Sequence, residues 1–288
     1  MVTTAPPSLS QLVNTDRYPL TDPDGAAWAV AVHRARRDLQ AVGCTVLSGF
    51  LRPELLEDLR RECAAVAPQA YFDVEVVNVY NTGVDPSLPE NHPVNTTVER
   101  GNAFVARDAI PTHAMISRLY SSPELQQFVA ACFGLPAVHE LADPLAGLCL
   151  NVLREGRSHP WHFDTNEFAV SLLTQEPAGG GMFEYCPGIR SADAENVDDV
   201  AAVLAGDEQL VRRFALRPGD VQLFRGRHSL HRVTAVQGAP ERHCAIFAYT
   251  VQPGVVGSVA RTQQLFGRVL PEHLAAQRRA VRADALLD

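Results

Sequence analysis

From Leu145 onward the chain is a succession of short apolar runs, and this pattern constrains the fold more than any other feature. "LAGLCLNVLREG", "HPWHFD", "FAVSLLTQEP", "GMFEYCPG", "VQLFRGR", "HSLHRVTAV" and "RHCAIFAYT" are separated by Gly, Pro, Asp or Asn. Many short strands at such spacing build two packed sheets, as a sandwich or a barrel. The expected fold class is mainly β with flanking α, with a barrel core over 145–252. One acidic run with helical spacing, "AENVDDVAAVLAGDEQL" (194–210), is expected as an insertion standing outside the barrel.

The region before the barrel, 1–144, reads as a mixed support. "DGAAWAVAVHRARRDLQAVG" has amphipathic spacing and a terminal Gly, and "RPELLEDLRRECAAVA" carries Pro in its first turn, so both predict helices. "CTVLSGF" and "VEVVNVYNT" (Val74 to Thr82) predict strands, and two short helices follow at "AMISRLYSS" and "PELQQFVAACFG". The polar stretch from Asn81 to Asn102 has no periodicity; it is either a lid over a site or a plain surface excursion. A helical tail over 253–288 closes what we read as one domain, 1–288.

Composition excludes several function classes. No window approaches the length of apolar sequence that a membrane span needs, and the N-terminus has no signal-peptide pattern, so a cytoplasmic protein is expected. A net charge of -8 without a basic cluster argues against nucleic acid as a partner and leaves a small molecule. Six cysteines are scattered without a CxxC pair, which suggests neither a disulfide framework nor a zinc ribbon. The chain has no lysine: all 25 basic residues are arginine, so any anionic ligand is held by Arg, His or backbone N–H groups. The oligomeric state is not fixed by the sequence.

Within "RSHPWHFDTNEF" the triplet HFD proves little alone, because one H-x-D is expected roughly 0.6 times by chance in a chain of this composition. Its context adds weight. In an extended strand residues i and i+2 share a face, so His162 and Asp164 would project together while Trp161 and Phe163 face the opposite, core side. A third ligand is available from "RPGDVQLFRGRHSLHRV", which offers His228 and His231. Two His and one carboxylate around an open-sided metal suit non-haem Fe(II) chemistry. Further on, Arg242 is expected on the return strand of a hairpin turning at Gly238 to Pro240, where its guanidinium can fork onto a carboxylate.

The ordered set "HPWHFD…GGGMFEY…RPGDVQLFRGRHSLHRVTAV…ERHCAIFAYT" resembles the Fe(II)/2-oxoglutarate-dependent oxygenases, with their H-x-D, distal His and following Arg. The resemblance covers Leu145 to Thr250. It implies a double-stranded β-helix, the jelly-roll or cupin-like barrel, with N-terminal and C-terminal helices. It also implies Fe(II) held by His162, Asp164 and His231 as the catalytic metal ligands, with 2-oxoglutarate and O2 as cosubstrates and Arg242 as the 2-oxoglutarate anchor.

More narrowly, the H-x-x-H-x-D spacing, the G-G-x-F-E-Y run and the inserted acidic helix are similar to a bacterial branch acting on free amino acids, which contains hydroxylases and radical halogenases. In the halogenases the motif Asp is Gly; here it is Asp164, so hydroxylation with release of succinate and CO2 is expected. In that branch a His and an upstream Arg contact the substrate carboxylate, which here implies His159 and Arg100. For both, the plain reading is a polar residue satisfied at a barrel rim. Asn151, an amide inside an apolar strand, either faces the cosubstrate or holds a neighbouring loop. Asn166 approaches substrate or solvent. The alternatives are a halogenase or desaturase of the same family, or a non-catalytic cupin-like binding protein.

Overall fold

The first helices form where apolar spacing and stop signals coincide. The computed structural model describes residues 8–276 and 286–287. A short helix α1 (Leu9–Leu12) precedes α2 (Ala26–Val42), which ends where Gly43 adopts a left-handed φ of 67° at little steric cost. Strand β1 (Cys44–Leu47), helix α3 (Leu56–Val66), and strands β2 (Tyr71–Val77) and β3 (Val98–Val105) follow. Next come α4 (Met115–Tyr120) and α5 (Pro123–Phe133); Ser122 Oγ caps α5 by accepting from Leu125 N, and Pro123 needs no partner in the first turn.

The second half is almost all strand. It runs β4 (His139–Glu140), β5 (Leu148–Leu153), β6 (His159–His162), β7 (Ala169–Gln175), β8 (Gly179–Gly180) and β9 (Phe183–Cys186). Helix α6 (Val197–Leu204) then interrupts, before β10 (Arg212–Phe214), β11 (Val221–Phe224), β12 (Leu230–Val233), β13 (Val236–Gln237), β14 (Arg242–Phe247) and β15 (Tyr249–Thr250). Helices α7 (Val259–Phe266) and α8 (Pro271–Ala276) follow; apart from 286–287, the rest of the expected helical tail lies outside the described residues.

These strands form two principal antiparallel sheets: a major one ordered β1-β11-β7-β14-β5-β3-β2 and a minor one ordered β10-β9-β12-β6. The fold is a double-stranded β-helix with helices laid on the major sheet. On that sheet's outer face Leu148, Leu150, Val152, Val170, Leu172, Val221, Leu223, Ala245 and Phe247 pack with Leu39, Leu59 and Phe128 of the helices in one buried cluster. Period-2 alternation then sends the intervening residues, among them Asn151 and Arg242, to the opposite, inner face. The minor sheet turns Trp161, Phe163 and Leu230 outward into a second cluster with Val200 and Val203 of α6. The acidic insertion therefore covers the back of the minor sheet and leaves the inner face to His162, His231, Phe183 and Tyr185.

Four sequence expectations shift. The barrel is not confined to 145–252, because β1 pairs with β11 and β3 pairs with β5, so the N-terminal region supplies three of the major sheet's strands. The strand expected from Val74 to Thr82 is β2 and stops at Val77, since Asn78 Oδ1 accepts from Tyr80 N and Thr82 N and bends the chain away. The aperiodic stretch ends at Val98, where β3 begins, so Arg100 and Asn102 are strand residues. Last, the expected hairpin at Gly238 to Pro240 is a crossing between sheets: β12 lies in the minor sheet and β14 in the major one.

The segment between β2 and β3 is tied down by its own amides. Asn78 Nδ2 donates to Val94 O (2.7 Å), Asn95 Nδ2 donates to Asp85 O (2.8 Å), and the Tyr80 ring stacks on Phe163 at 5.7 Å. Within it Asn81 holds a left-handed φ of 57° that an Asn tolerates.

Candidate active site

Between the two inner faces three side chains converge. The potential ligand atoms of His162, Asp164 and His231 all lie within 4.8 Å of one another, with Asp164 Oδ1 3.5 Å from His231 Nε2 and 3.8 Å from His162 Nε2. His162 and His231 are direct partners in the β6–β12 ladder, so the backbone pairing itself brings the two rings to 4.1 Å between centroids. Asp164 arrives differently from the strand-face expectation: β6 ends at His162, and Asp164 is placed by its own backbone N–H donating to Gly226 O (3.2 Å).

The surroundings choose the ring atoms. His162 Nδ1–H donates to Pro160 O and His231 Nδ1–H to Ser229 O, both at 2.9 Å, which directs the two Nε2 lone pairs at the space beside Asp164. The His231 ring is wedged by Phe224 at 4.8 Å and Phe183 at 5.8 Å. Burial, and then the neighbouring His159 and His231, hold the His162 imidazole well below its ordinary pKa, so it is a neutral donor to a metal. For Asp164 burial acts upward, but His231 and His162 beside it prevail and keep the carboxyl at about 2. Its Oδ2 is enclosed without a hydrogen-bond partner.

An orphaned carboxylate oxygen beside two lone pairs held outward by backbone carbonyls is the donor set of a divalent cation, and Fe(II) fits it. Room for that carboxylate is made by Gly226, where a Cβ would overlap Asp164 Oδ2. The glycine was visible within "FRGRHS", but its facing partner was not.

Arg242 lies on the inner face at the start of β14, opposite Leu153, and is 4% exposed. Among the described residues it makes no hydrogen bond or ion pair. It lines a pocket of about 160 Å³ with Leu173, Glu176, Phe214 and the same Phe183 that abuts His231; Glu176 makes no ion pair with it, and none of the three ligands lines that pocket. A guanidinium buried without a counter-charge is costly, and a dicarboxylate reaching from the metal site supplies that charge; 2-oxoglutarate fits these residues. A larger groove, about 520 Å³, runs on the back of the minor sheet along Trp161 and Val203 and touches none of the three ligands.

The remaining expected residues divide. His159 and His162, three apart, would face opposite sides of a regular strand, but a bulge against β12 turns both inward and stacks their rings at 3.8 Å. His159 Nε2 is enclosed and has no partner, and burial followed by the Arg100 charge holds its pKa well down. Arg100, 5% exposed on β3, donates to Glu75 Oε2 (2.6 Å) and Asn81 Oδ1 (3.0 Å). Asn151 Nδ2 donates to Asn102 Oδ1 (3.0 Å) and Ala103 O (3.3 Å), so its amide joins β5 to β3. Asn166 is half-buried in the loop after Asp164, with no hydrogen bond among the described residues. His228, half-buried, lies outside the ligand group.

One residue had no sequence signal. Arg261, half-buried, lies on α7, which packs across β2 and β3, and one turn further on Leu265 packs with Phe104 and Cys149, the Phe104 ring meeting His159 at 6.4 Å. Burial, then the like charge of Arg100, lowers its pKa to about 10, while the Asp164 carboxylate acts in the other direction.

No curated protein matches this chain. Among solved structures, the non-haem α-ketoglutarate-dependent epimerase SnoN from nogalamycin biosynthesis superposes with a TM-score of 0.53 at 15% identity, over 77% of this chain and 84% of that one. A structure of SnoN with Fe3+, α-ketoglutarate and nogalamycin RO gives 0.52 at 15% identity, with the same coverage. AviO1 from Streptomyces viridochromogenes Tue57 gives 0.51 at 19% identity, over 79% of this chain and 96% of that one. These likenesses concern the fold. Residues 28–264, most of the chain, match the family described as HalD, Halogenase D. The chain therefore belongs to the Halogenase D family and, by fold and ligand set together, is an Fe(II)- and 2-oxoglutarate-dependent oxygenase.

Proposed function

We propose that this enzyme hydroxylates an unactivated C–H of a free amino acid or a simple amino-acid derivative. The observation that carries the reading is the Asp164 carboxylate, seated between two histidines in space left by Gly226. A halide needs the coordination position that this carboxylate takes. In the proposal His162, Asp164 and His231 hold Fe(II), and Arg242 forks onto the far carboxylate of 2-oxoglutarate, with Asn151 on the adjacent wall. Arg100 and His159 take the substrate carboxylate, and Asn166 approaches the substrate from the loop after Asp164.

With O2, the bound Fe(II) and 2-oxoglutarate supply an oxidant able to take hydrogen from an unreactive carbon, with succinate and CO2 as coproducts. The protein's share is geometric and electrostatic. The backbone carbonyls of Pro160 and Ser229 fix the two imidazole tautomers. Phe183 and Phe224 keep the His231 side apolar and exclude water from it. Arg100, already oriented by Glu75 and Asn81, is pre-organised to hold a carboxylate so that one C–H meets the metal.

The test is incubation of the purified protein with Fe(II), 2-oxoglutarate, O2 and a panel of free amino acids. Succinate formation stimulated by an amino acid, with a product heavier by one oxygen, is the expected result. The family match favours one second reading, halogenation; a chloride-dependent chlorinated product would establish it instead. A product short of two hydrogens would mean desaturation, and binding without succinate would mean a silent cupin-like protein.

A further inference from the structure

The mouth of the site carries one more positive charge than an ordinary amino acid can neutralise. Arg100 lies on the inner face of β3, bound to Glu75 at 2.6 Å, and Arg261 shares its face of α7 with Leu265, which packs with the Phe104 whose ring meets His159 at 6.4 Å. Among the described residues Arg261 has no carboxylate within ion-pair distance; its side chain meets only the neutral amide of Gln264. The helix that carries it is anchored rather than loosely apposed. Ser258 Oγ caps α7, Phe266 joins Phe104 and Cys149 in a buried cluster, and Gly267 packs on the Tyr71 ring.

The charges can be followed through the filled site. Fe(II), Asp164, Arg242 and a doubly charged 2-oxoglutarate sum to zero, as do Arg100 and Glu75. A neutral zwitterion adds nothing, which leaves the Arg261 guanidinium, half-buried and repelled by Arg100, without a counter-charge. A half-buried guanidinium facing a like charge stays unbalanced until a ligand supplies its partner.

We propose that Arg261 is a specificity-determining residue that binds a second acid group of the substrate, so that the enzyme acts on amino acids bearing an acidic side chain. The inference rests on the amino-acid reading given above. The two acid groups divide by wall: the α-carboxylate goes to Arg100 and His159, and the side-chain acid goes to Arg261. The C–H between them is then held across the ligand set, with the aromatic face of Phe104 and the Cys149 thiol beside it. A carboxylate or a phosphate on the side chain would serve, since a guanidinium fork accepts either.

The test is calorimetric binding under anaerobic conditions to full-length protein loaded with Mn(II) and saturating 2-oxoglutarate. Aspartate, glutamate and 2-aminoadipate are compared with the neutral amides asparagine and glutamine, with O-phosphoserine, and with glutarate, which lacks the amino group. The expected result is that one or more acidic amino acids bind about 100-fold more tightly than their amides, and that Arg261→Gln removes the preference while leaving 2-oxoglutarate affinity unchanged. Arg261→Lys should restore part of it, and preference for O-phosphoserine over the carboxylates would assign the acid as phosphate. Equal binding of acids and amides, an unchanged preference in Arg261→Gln, or failure of every acidic probe overturns the role of Arg261. If glutarate binds as well as glutamate and the binding depends on Arg261, the acid site stands and the amino-acid reading fails. Neutral amino acids binding alone would do the reverse.

Discussion

Two regions of the molecule bury arginine, and they do so for opposite ends. On the back of the minor sheet Arg190 is 1% exposed. It donates to Arg227 O at 2.7 Å, to Leu287 O at 2.9 Å and to the Glu195 carboxylate at 3.2 Å, and its guanidinium lies 3.8 Å over the Phe163 ring. Between the sheets Arg242 is buried almost as deeply and, among the described residues, makes neither an ion pair nor a hydrogen bond. The contrast teaches that burial of a cation is not by itself a functional sign; burial without a partner is. The same holds for carboxylates. Glu184 on the outer face of the minor sheet receives both Arg213 and Arg232, whereas Asp164 keeps an enclosed oxygen with no partner.

Substitutions can break this comparison. Asp164→Ala should have the largest effect, abolishing iron binding and lowering substrate-stimulated succinate formation on the order of 1,000-fold or more. The folded state should survive it, because the carboxylate supports nothing else; a collapse in melting temperature would show that Asp164 is structural. Arg242→Gln should raise the KM for 2-oxoglutarate about 100-fold, roughly 3 kcal/mol, with thermal stability unchanged or slightly higher. If it instead destabilises the fold while leaving that KM alone, the contrast with Arg190 is wrong.

Arg190→Met is the converse. It should cost about 2 kcal/mol of stability by leaving two backbone carbonyls without their donor and Glu195 without its counter-charge, while KM for 2-oxoglutarate stays within about twofold of the parent. Denaturant melts and cosubstrate titrations on the same preparations separate the two outcomes.

The smallest effect sharpens the comparison on the helix side of the major sheet. His243 is buried there, both ring nitrogens lack hydrogen bonds, and burial, helped by the Arg60 charge, lowers its pKa to about 4. The unfolded chain, with an ordinary imidazole near 6.5, binds the proton more readily across that window. Stability due to neutral His243 is therefore complete above about pH 6.5 and falls as the pH drops toward 4. His243→Leu should flatten that part of the acid limb in melts followed by circular dichroism; an unchanged slope would mean that His243 protonates freely in the fold.

How much of this was legible beforehand can be followed residue by residue. His162, Asp164, His231 and Arg242 were readable because their spacing along the chain matches a known order of motifs. The strand alternation that sends Phe163 outward was readable too, because period 2 is local. His159 was assigned by resemblance, but its inward stacking depends on a bulge that sets four residues of β6 (159–162) against three of β12 (231–233), and no single strand records its partner's register. The hairpin before Arg242 was misjudged for a similar reason: Gly238 to Pro240 reads as a turn, and whether a turn returns to its own sheet or crosses to another depends on where the core lies.

The sequence by itself determined the chemistry that the protein can carry. It set the alternating strands, the two histidines and carboxylate, and the absence of lysine that leaves anions to arginine. Only the tertiary structure decided which of those groups lack partners. It showed that Arg100 is answered by Glu75, that Asn151 joins two strands, that Gly226 clears room for Asp164, and that a helix far along the chain packs Leu265, on the same face as Arg261, with Phe104 and Cys149. The physical reason is that a residue's type is local, whereas its charge balance is summed over everything folded around it, however distant in sequence.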